Sequence, residues 1–185
     1  FFTGLATFLL TANVAWAQPK SQPEPSSVNL AQHAVSAILI DADTGTVLYE
    51  KNSRQKLPPA SITKIMTLLL VMEALDQGKI KLTDKVRVSE YAASMGGSQI
   101  FLEPGEEMTV EDLIKGVAVA SGNDASVALA EYIAGTEEAF VAMMNEKARQ
   151  LGMTDTRFAN SNGLPAPDHY TSARDIAIMS RELLK

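Results

Sequence analysis

The sequence predicts a mixed α/β fold, with an antiparallel sheet flanked by helices and a mainly helical subdomain. Two short apolar runs lie on either side of a turn, which is the pattern of a β-hairpin. Residues 62–77 have apolar side chains on nearly every face of a helix, so this helix should be buried. From Thr109 onward, capping residues and apolar spacing indicate further helices. A chain of 185 residues is long enough to bury one such core.

The composition excludes several classes of protein. The net charge is −6 and the lysines and arginines are not clustered, which argues against a nucleic-acid-binding surface. The absence of cysteine excludes a disulfide framework and a thiolate metal site. Only two histidines occur, His33 and His169, which argues against a histidine metal site and against a Ser-His-Asp triad. We therefore expect no metal ion and no other cofactor.

The first 32 residues are predicted to lie outside the folded domain, which we place at 33–185. Residues 1–17 are uncharged and mostly apolar and end in Ala-Trp-Ala, as an export signal does at its cleavage site. An N-terminal membrane anchor is the alternative. Residues 18–32 are rich in Pro, Ser and Gln, as in an extended linker. The sequence has no initiator Met and ends within a helical pattern, so we expect it to be part of a longer protein.

The hairpin is predicted from residues 33–40 and 46–51, two apolar runs that contain β-branched residues. The sequence Asp-Ala-Asp-Thr-Gly at 41–45 is typical of the turn between them. Two strands alone are only marginally stable, so further strands are expected from sequence after Lys185. We therefore expect the sheet to be incomplete in this chain.

The buried helix is predicted to follow Pro58 and Pro59, which end any strand and favour a helix start. Its apolar run covers residues 62–77, and Gly78 provides a helix-ending signal. It is too short to span a bilayer. Ser61 is therefore expected at the mouth of a central core helix.

The rest of the chain is predicted to be mainly helical, with irregular connections between the helices. The expected elements are an extended piece at 82–89, a helical turn at 90–94, a loop at 95–98, a turn at 103–106, helices at 109–120, 124–134 and 136–151, an irregular loop at 153–170 and a final helix that starts at Ser172.

Ser61 and Lys64 are the candidate catalytic pair. Residues three apart on a helix lie on one face, and the first turn of a helix stabilises negative charge. A free lysine has a pKa of about 10.4 and is no base at neutral pH. Burial beside the core helix can lower that pKa by several units. A neutral Lys64 would then accept the proton of the Ser61 hydroxyl.

The Ser-x-x-Lys pattern is weak by itself, because a chain of this size contains about one by chance. A second match, Ser53 to Lys56, lies in a polar stretch with no helix behind it and is interpreted as a solvated loop. For Ser61 the alternative is a simple helix cap, with Lys64 extended to water.

Ser121-Gly122-Asn123 is the second polar element, set in the apolar frame VAVASGNDASVALAEYI. Polar residues with a glycine reduce helix stability there, so a functional reason is expected. We assign Ser121 as a proton relay and Asn123 as an amide that binds substrate. The alternative is an ordinary corner between two helices. A further match, Ser27-Val-Asn29, lies in the linker.

Ser61-x-x-Lys64 followed by Ser121-x-Asn123 resembles the penicilloyl-serine enzymes, whose motifs are S-x-x-K, S-D-N and K-T-G. Within that group the chain is similar to the low-molecular-mass D-alanyl-D-alanine carboxypeptidases. The likeness covers about residues 34–185 and includes LIDADTGTVLYEKN, PPASITKIMT, MGGSQIFLEPGE, VASGNDASVALAE, FANSNGLP and HYTSARDIA. The resemblance implies a β-lactamase/DD-peptidase-like fold.

The resemblance also implies roles for the candidate residues. Ser61 would be acylated by the penultimate D-Ala carbonyl of a peptidoglycan stem peptide, and its N–H would serve the oxyanion hole. Lys64 would be the general base of acylation. Ser121 would carry the proton toward the leaving amine, and Asn123 would bind substrate or orient Lys64. β-Lactam antibiotics would acylate Ser61 as well.

The chain departs from the family pattern because it contains no K-T-G motif. In the family that motif follows the second one by about a hundred residues, which is beyond Lys185, so this chain alone is expected to be inactive. A class A β-lactamase would carry a glutamate in the loop at 154–162, where Asp155 is the only acid. Asp155 is interpreted as a loop cap. His169 is interpreted as a surface-loop residue, not a base.

Other functions stay open at this point. They are a D,D-endopeptidase, a class A β-lactamase-like hydrolase, a non-catalytic peptidoglycan-binding remnant and a structural exported domain, although the last leaves both polar motifs unexplained. The resemblance implies an exported, extracytoplasmic protein of the cell envelope. Membrane association through a missing C-terminal region is left open, as is the oligomeric state.

Overall fold

The computed structural model describes residues 30–185. The predicted signal at 1–17 and residues 18–29 of the predicted linker lie outside the described residues. Residues 30–32 form part of a turn. From His33 to Lys185 the chain forms one compact unit.

The described residues contain both strands and helices, which confirms the predicted mixed α/β fold. In chain order the elements are β1 (Ala37–Ile40), β2 (Val47–Lys51), α1 (Lys64–Asp76), β3 (Lys85–Arg87), α2 (Glu90–Ala93), β4 (Glu107–Thr109), α3 (Val110–Ala120), α4 (Asn123–Ala134), α5 (Glu137–Gln150) and α6 (Ala173–Leu183). A 3-10 turn (Ala60–Thr63) leads directly into α1. Among residues 30–185 no helix combines the length and apolar character that crossing a bilayer requires.

The predicted hairpin is present, with strands shorter than predicted. Strands β1 and β2 pair antiparallel in a register that places Ala37 opposite Lys51. The turn closes through the Gly45 N–H, which donates to the Asp41 carbonyl at 2.8 Å. The Asp41 carboxylate accepts bonds from the backbone N–H and hydroxyl of Thr44. This pattern of side-chain bonds explains why aspartate and threonine favour the turn.

A second antiparallel pair of strands was not predicted in full. The extended piece at 82–89 contains β3, but its partner β4 lies just after the residues interpreted only as a turn. In the pair, Val86 stands opposite Met108. Three-residue strands are too short to show the alternation by which a strand is detected in a sequence. The strand β4 was therefore missed in the sequence.

Helix α1 is buried as its sequence predicts, and it divides the apolar core. On one side its Val71 packs in a cluster with Val117 of α3 and Leu129 of α4. On the other side its Met66 packs with Phe140 of α5 and further side chains from α6. Each fully buried apolar side chain stabilises the fold by about 1.5–3 kcal/mol relative to an exposed one. The start of α1 is therefore fixed by both halves of the core.

The predicted helix starts at Thr109, Thr136 and Ser172 are confirmed by their capping bonds. The three side-chain oxygens accept hydrogen bonds from the N–H groups of residues Asp112, Ala139 and Asp175, respectively. A cap of this kind stabilises a helix by about 1 kcal/mol. These bonds set the start of α3, α5 and α6.

Candidate active site

Ser61 lies in the 3-10 turn before α1, where its side chain is exposed. The preceding residue, Ala60, has a φ of 48°, which is an uncommon value for a residue with a Cβ. Gly163 packs directly against the Ala60 carbonyl, and a Cβ atom at position 163 would overlap that group. The backbone before Ser61 is therefore held in a strained conformation by the loop around Gly163.

The helix-cap alternative for Ser61 is wrong. The N-cap position of α1 is occupied by Thr63 and not by Ser61, and no side-chain capping bond is present there. The Ser61 hydroxyl instead lies 3.3 Å from the Lys64 amine. The contact is longer than an ordinary hydrogen bond, as catalytic contacts often are before substrate binds.

Lys64 is buried, with 4% of its surface exposed, so the alternative in which it extends to water is also wrong. Its Nζ atom lies 2.6 Å from Asn123 Oδ1 and 2.6 Å from the Asn162 carbonyl oxygen. Among the salt bridges of the described residues, none includes Lys64. Burial lowers the pKa of Lys64 from its ordinary value of 10.5 to about 8. A substantial fraction of Lys64 is therefore neutral slightly above neutral pH.

The contacts of Lys64 suit a neutral amine that acts as a base. A neutral amine has two N–H groups and one lone pair. The carbonyl oxygens of Asn123 and Asn162 accept the two N–H groups, which leaves the lone pair for the third direction. The Ser61 hydroxyl, at 3.3 Å, is the third polar group in contact with the amine. Proton transfer from Ser61 to Lys64 therefore needs no rearrangement of the other two bonds.

Asn123 is the first residue of α4, and its side chain is buried. Its Oδ1 atom accepts from Lys64, while its Nδ2 atom donates to the Gly96 carbonyl at 2.7 Å. Its backbone N–H donates to the Ser98 carbonyl at 2.7 Å. These three bonds fix the side chain with its oxygen toward Lys64. Two roles were expected for Asn123, binding of substrate and orientation of Lys64. The observed bonds fit the second role.

Ser121 lies at the end of α3, two residues before Asn123, with a left-handed backbone φ of 57°. Within residues 30–185 we find no hydrogen bond of its hydroxyl group. The structure therefore joins Ser61, Lys64 and Asn123 in one bonded group. Ser121 precedes Asn123 by two residues and takes no part in those bonds.

The sequence did not identify the Asn162 carbonyl as part of the site. The loop residue before it, Ser161, is held through its carbonyl oxygen by the hydroxyls of Thr67 at 2.6 Å and Ser126 at 2.8 Å. A main-chain acceptor has no side-chain signature, so no residue type could reveal it. The Asn-Ser-Asn-Gly run at 160–163 was the one visible sign of an unusual loop.

The prediction that His169 lies on a surface loop is wrong. The imidazole is buried, and its Nδ1 atom accepts a hydrogen bond from the Ala159 N–H at 2.8 Å. The proton must then be on Nε2, which lies 2.8 Å from Thr63 Oγ1 and donates to it. Burial lowers the pKa of His169. This neutral histidine ties the long loop to the turn that carries Ser61.

Two other predictions are corrected by the side-chain contacts. Asp155 does not cap its loop, because its carboxylate lies 3.4 Å from Arg54, whereas the Asp155 N–H donates to Asp175 at 2.8 Å. Ser53 is not solvated, because it is buried and donates to the Glu50 carboxylate at 2.7 Å. Lys56 lies over the Tyr170 ring instead, so the second Ser-x-x-Lys match forms no pair.

Comparison with known proteins gives consistent matches. A sequence model of the family described as "D-alanyl-D-alanine carboxypeptidase" matches residues 19–185. D-alanyl-D-alanine carboxypeptidase DacF of Bacillus subtilis (strain 168) is 67% identical over 156 residues, which are 84% of this chain and 40% of that protein. The chain therefore spans less than half the length of this relative.

Two solved structures have the same fold over most of the chain. The D-alanyl-D-alanine carboxypeptidase DacD from Francisella tularensis matches with a TM-score of 0.82 and 39% identity, over 93% of this chain and 41% of that one. Penicillin binding protein 5 from Haemophilus influenzae matches with a TM-score of 0.79 and 42% identity, over 82% of this chain and 45% of that one.

Proposed function

The chain belongs to the D-alanyl-D-alanine carboxypeptidase family, and on this basis we propose that it supplies the nucleophile of a serine D-Ala-D-Ala carboxypeptidase. The proposed substrate is a peptidoglycan stem peptide, from which the terminal D-alanine is released. The contact of the Ser61 hydroxyl with a buried Lys64, whose pKa is lowered to about 8, carries the proposal. Because the chain covers 40% of the Bacillus subtilis relative, the activity is proposed for the whole protein.

Acylation begins when neutral Lys64 takes the proton of the Ser61 hydroxyl. The Ser61 oxygen attacks the carbonyl carbon of the penultimate D-Ala and forms a tetrahedral intermediate. N–H groups in the first turn of a helix have no partner within it, so the Ser61 N–H serves as one donor to the oxyanion. The carbon–nitrogen bond then breaks, and the leaving amine receives the proton from Lys64 through the Ser121 hydroxyl.

Deacylation reverses these proton transfers. Water attacks the ester carbonyl and gives its proton to Lys64 as the new carbon–oxygen bond forms. The bond to the Ser61 oxygen breaks, and that oxygen takes the proton back. The net reaction is hydrolysis of one peptide bond, with the enzyme returned to its initial state.

A β-lactam would acylate the same serine, because its strained amide presents a similar carbonyl group. The nitrogen stays tethered after the ring opens, so it does not leave as the D-alanine does. We propose that this covalent adduct forms on Ser61. Since peptidoglycan lies outside the cytoplasmic membrane, we also propose an extracytoplasmic location, for which the composition of residues 1–17 is the supporting observation.

The proposal is tested with a fluorescent penicillin and with a peptide that ends in D-Ala-D-Ala. The protein should be labelled covalently and should release D-alanine, whereas Ser61→Ala should do neither. Ser53→Ala, which changes the serine of the unpaired match, should still be labelled. A protein that binds the peptide without labelling or release would be a binding module, and this outcome would overturn the proposal. Rapid turnover of penicillin would indicate a β-lactamase instead.

A further inference from the structure

A buried carboxylate lies close to the site and takes no part in the steps above. Glu137 is the first residue of α5, and 7% of its surface is exposed. Its Oε1 atom accepts from the Ser161 N–H at 2.9 Å and from the Ser161 hydroxyl at 2.6 Å. Its Oε2 atom accepts from the Tyr91 hydroxyl at 2.8 Å. Burial of a carboxylate is costly without such bonds, so this arrangement calls for an explanation.

The first connection runs from Glu137 through Ser161 to Lys64. Ser161 is held at three atoms, because its N–H and hydroxyl donate to Glu137 and its carbonyl accepts from Thr67 and Ser126. The next carbonyl along the chain, that of Asn162, accepts from Lys64. With Ser161 fixed in this way, the direction of the Asn162 carbonyl is also fixed.

The second connection runs from Glu137 through Tyr91 to Asn123. Tyr91 belongs to the short helix α2, which leads into the segment that contains Gly96. The Gly96 carbonyl accepts from Asn123 Nδ2 and so turns Asn123 Oδ1 toward Lys64. The hydrogen bond to Glu137 raises the pKa of Tyr91 to about 12, so its hydroxyl stays a donor across the physiological range.

The two connections also meet each other. The side-chain amide of Asn162 lies 3.6 Å from the sulfur of Met95, which is the residue before Gly96. The segment that orients Asn123 and the loop that presents the Asn162 carbonyl are therefore in contact. Glu137 accepts hydrogen bonds from Tyr91, just before that segment, and from Ser161 in that loop.

We propose that Glu137 is a positioning residue that holds both carbonyl acceptors of Lys64 and thereby directs the Lys64 lone pair at Ser61. The inference rests on the proposed function, because it assigns Lys64 as the base. Small displacements of reacting groups reduce enzymatic rates strongly. Loss of Glu137 should therefore slow acylation of Ser61 beyond what its effect on folding explains.

Glu138 provides a matched control. It follows Glu137 in the first turn of α5 and is exposed, so Glu138→Ala removes the same charge from the helix start without touching the site. Glu137→Gln is the conservative variant. Its amide oxygen can still accept from both Ser161 donors, and its amide nitrogen can donate to the Tyr91 oxygen.

The experiment measures the rate constant for covalent labelling by fluorescent penicillin, on the protein as its complete gene encodes it. Labelling is followed well above the Lys64 pKa of about 8, where the amine is neutral and protonation differences disappear. Glu137→Ala should be slower by about tenfold or more, Tyr91→Phe by a few-fold, and Glu137→Gln and Glu138→Ala should stay close to the parent protein. Met144→Ala, a core change on the same helix, controls for lost stability at a temperature where all variants are folded.

The outcomes separate the inference from the proposed function. If the parent protein is not labelled at Ser61, the proposed function fails. If the parent is labelled and Glu137→Ala is labelled equally fast, or slows only as much as Met144→Ala, the positioning role is wrong while the proposed function stands. If Glu137→Ala does not fold, Tyr91→Phe decides, because Tyr91 is exposed and its loss leaves the core intact. An unchanged rate in Tyr91→Phe would then contradict the inference.

Discussion

The Lys64 amine is surrounded by protein, with two carbonyl oxygens at 2.6 Å and the Ser61 hydroxyl at 3.3 Å. Carbonyl oxygens accept hydrogen bonds without adding a negative charge. A carboxylate in either place would stabilise the ammonium form and raise the pKa of Lys64. With neutral acceptors around it, burial can lower the pKa of Lys64, as its proposed role as a base requires.

Lys64→Arg should slow labelling strongly while the protein remains folded. A guanidinium group can donate to the same carbonyl oxygens, but it cannot lose a proton in a protein and so cannot act as a base. We expect the labelling rate to fall by about a hundredfold or more, as when a general base is removed. Circular dichroism checks the fold, and labelling at the parent rate would contradict the assignment of Lys64 as the base.

The lowered pKa of Lys64 also predicts a pH dependence of stability. Its folded-state pKa of about 8 lies below the ordinary 10.5, so the unfolded chain binds more protons between these values. The free energy of unfolding should therefore rise with pH across that window. At 1.36 kcal/mol per pKa unit, the free energy of unfolding should rise by about 3 kcal/mol across the window. Below pH 8 Lys64 is charged in the folded protein, so the full cost of burying that charge lowers stability there.

Urea unfolding at a series of pH values tests this, with Lys64→Met as the comparison. The difference in unfolding free energy between parent and variant should change in favour of the parent from pH 8 upward. Lys79→Met, a change at an exposed lysine, should run parallel to the parent. A Lys64→Met difference that is constant with pH would show that the amine is not perturbed.

At the scale of elements, the turn before α1 depends on the long loop between α5 and α6. Gly163 has a φ of 91° and packs against the Ala60 carbonyl, while His169 bonds to Thr63. The loop therefore supports both sides of Ser61. Loops that carry function are commonly held in this way by the rigid elements around them.

Gly163→Ala should lower both stability and labelling. The added Cβ would overlap a backbone atom that cannot rotate away, and the φ at this position is unfavourable for alanine. We therefore expect the free energy of unfolding to fall by about 2 kcal/mol or more. Gly152→Ala is the matched control, because Gly152 also has a positive φ of 74° but nothing lies within 4 Å of the added Cβ. The free energy of unfolding of that variant should fall by about 1 kcal/mol, and its labelling rate should stay unchanged.

Much of this element pattern could be predicted from the sequence, and what was missed has a physical cause. Local signals such as the Thr109 and Ser172 caps depend on neighbouring residues, so they identified helix starts correctly. The burial of His169 and the carbonyl contact of Asn162 depend on residues about a hundred positions away. Such contacts arise only when the chain folds, so no local pattern could indicate them.

At the scale of the molecule, α1 contributes side chains to both clusters of the core. Labelling of Ser61 should therefore depend on the folding of the whole described unit. Met66→Ala removes a fully buried side chain from α1 and should cost about 2–5 kcal/mol. Met72→Ala, at an exposed position of the same helix, should cost far less. With each variant, labelling and helical signal should disappear at the same urea concentration; labelling that survives unfolding would contradict a site fixed by the core.

The pH dependence of Ser61 acylation tests most directly the claim that neutral Lys64 activates the serine. The rate constant for penicillin labelling should rise with pH and level off, with an apparent pKa of about 8, because only the neutral amine accepts the proton. Mass spectrometry should locate the adduct on Ser61 at every pH. A rate that does not change with pH, or an adduct on another residue, would contradict the account.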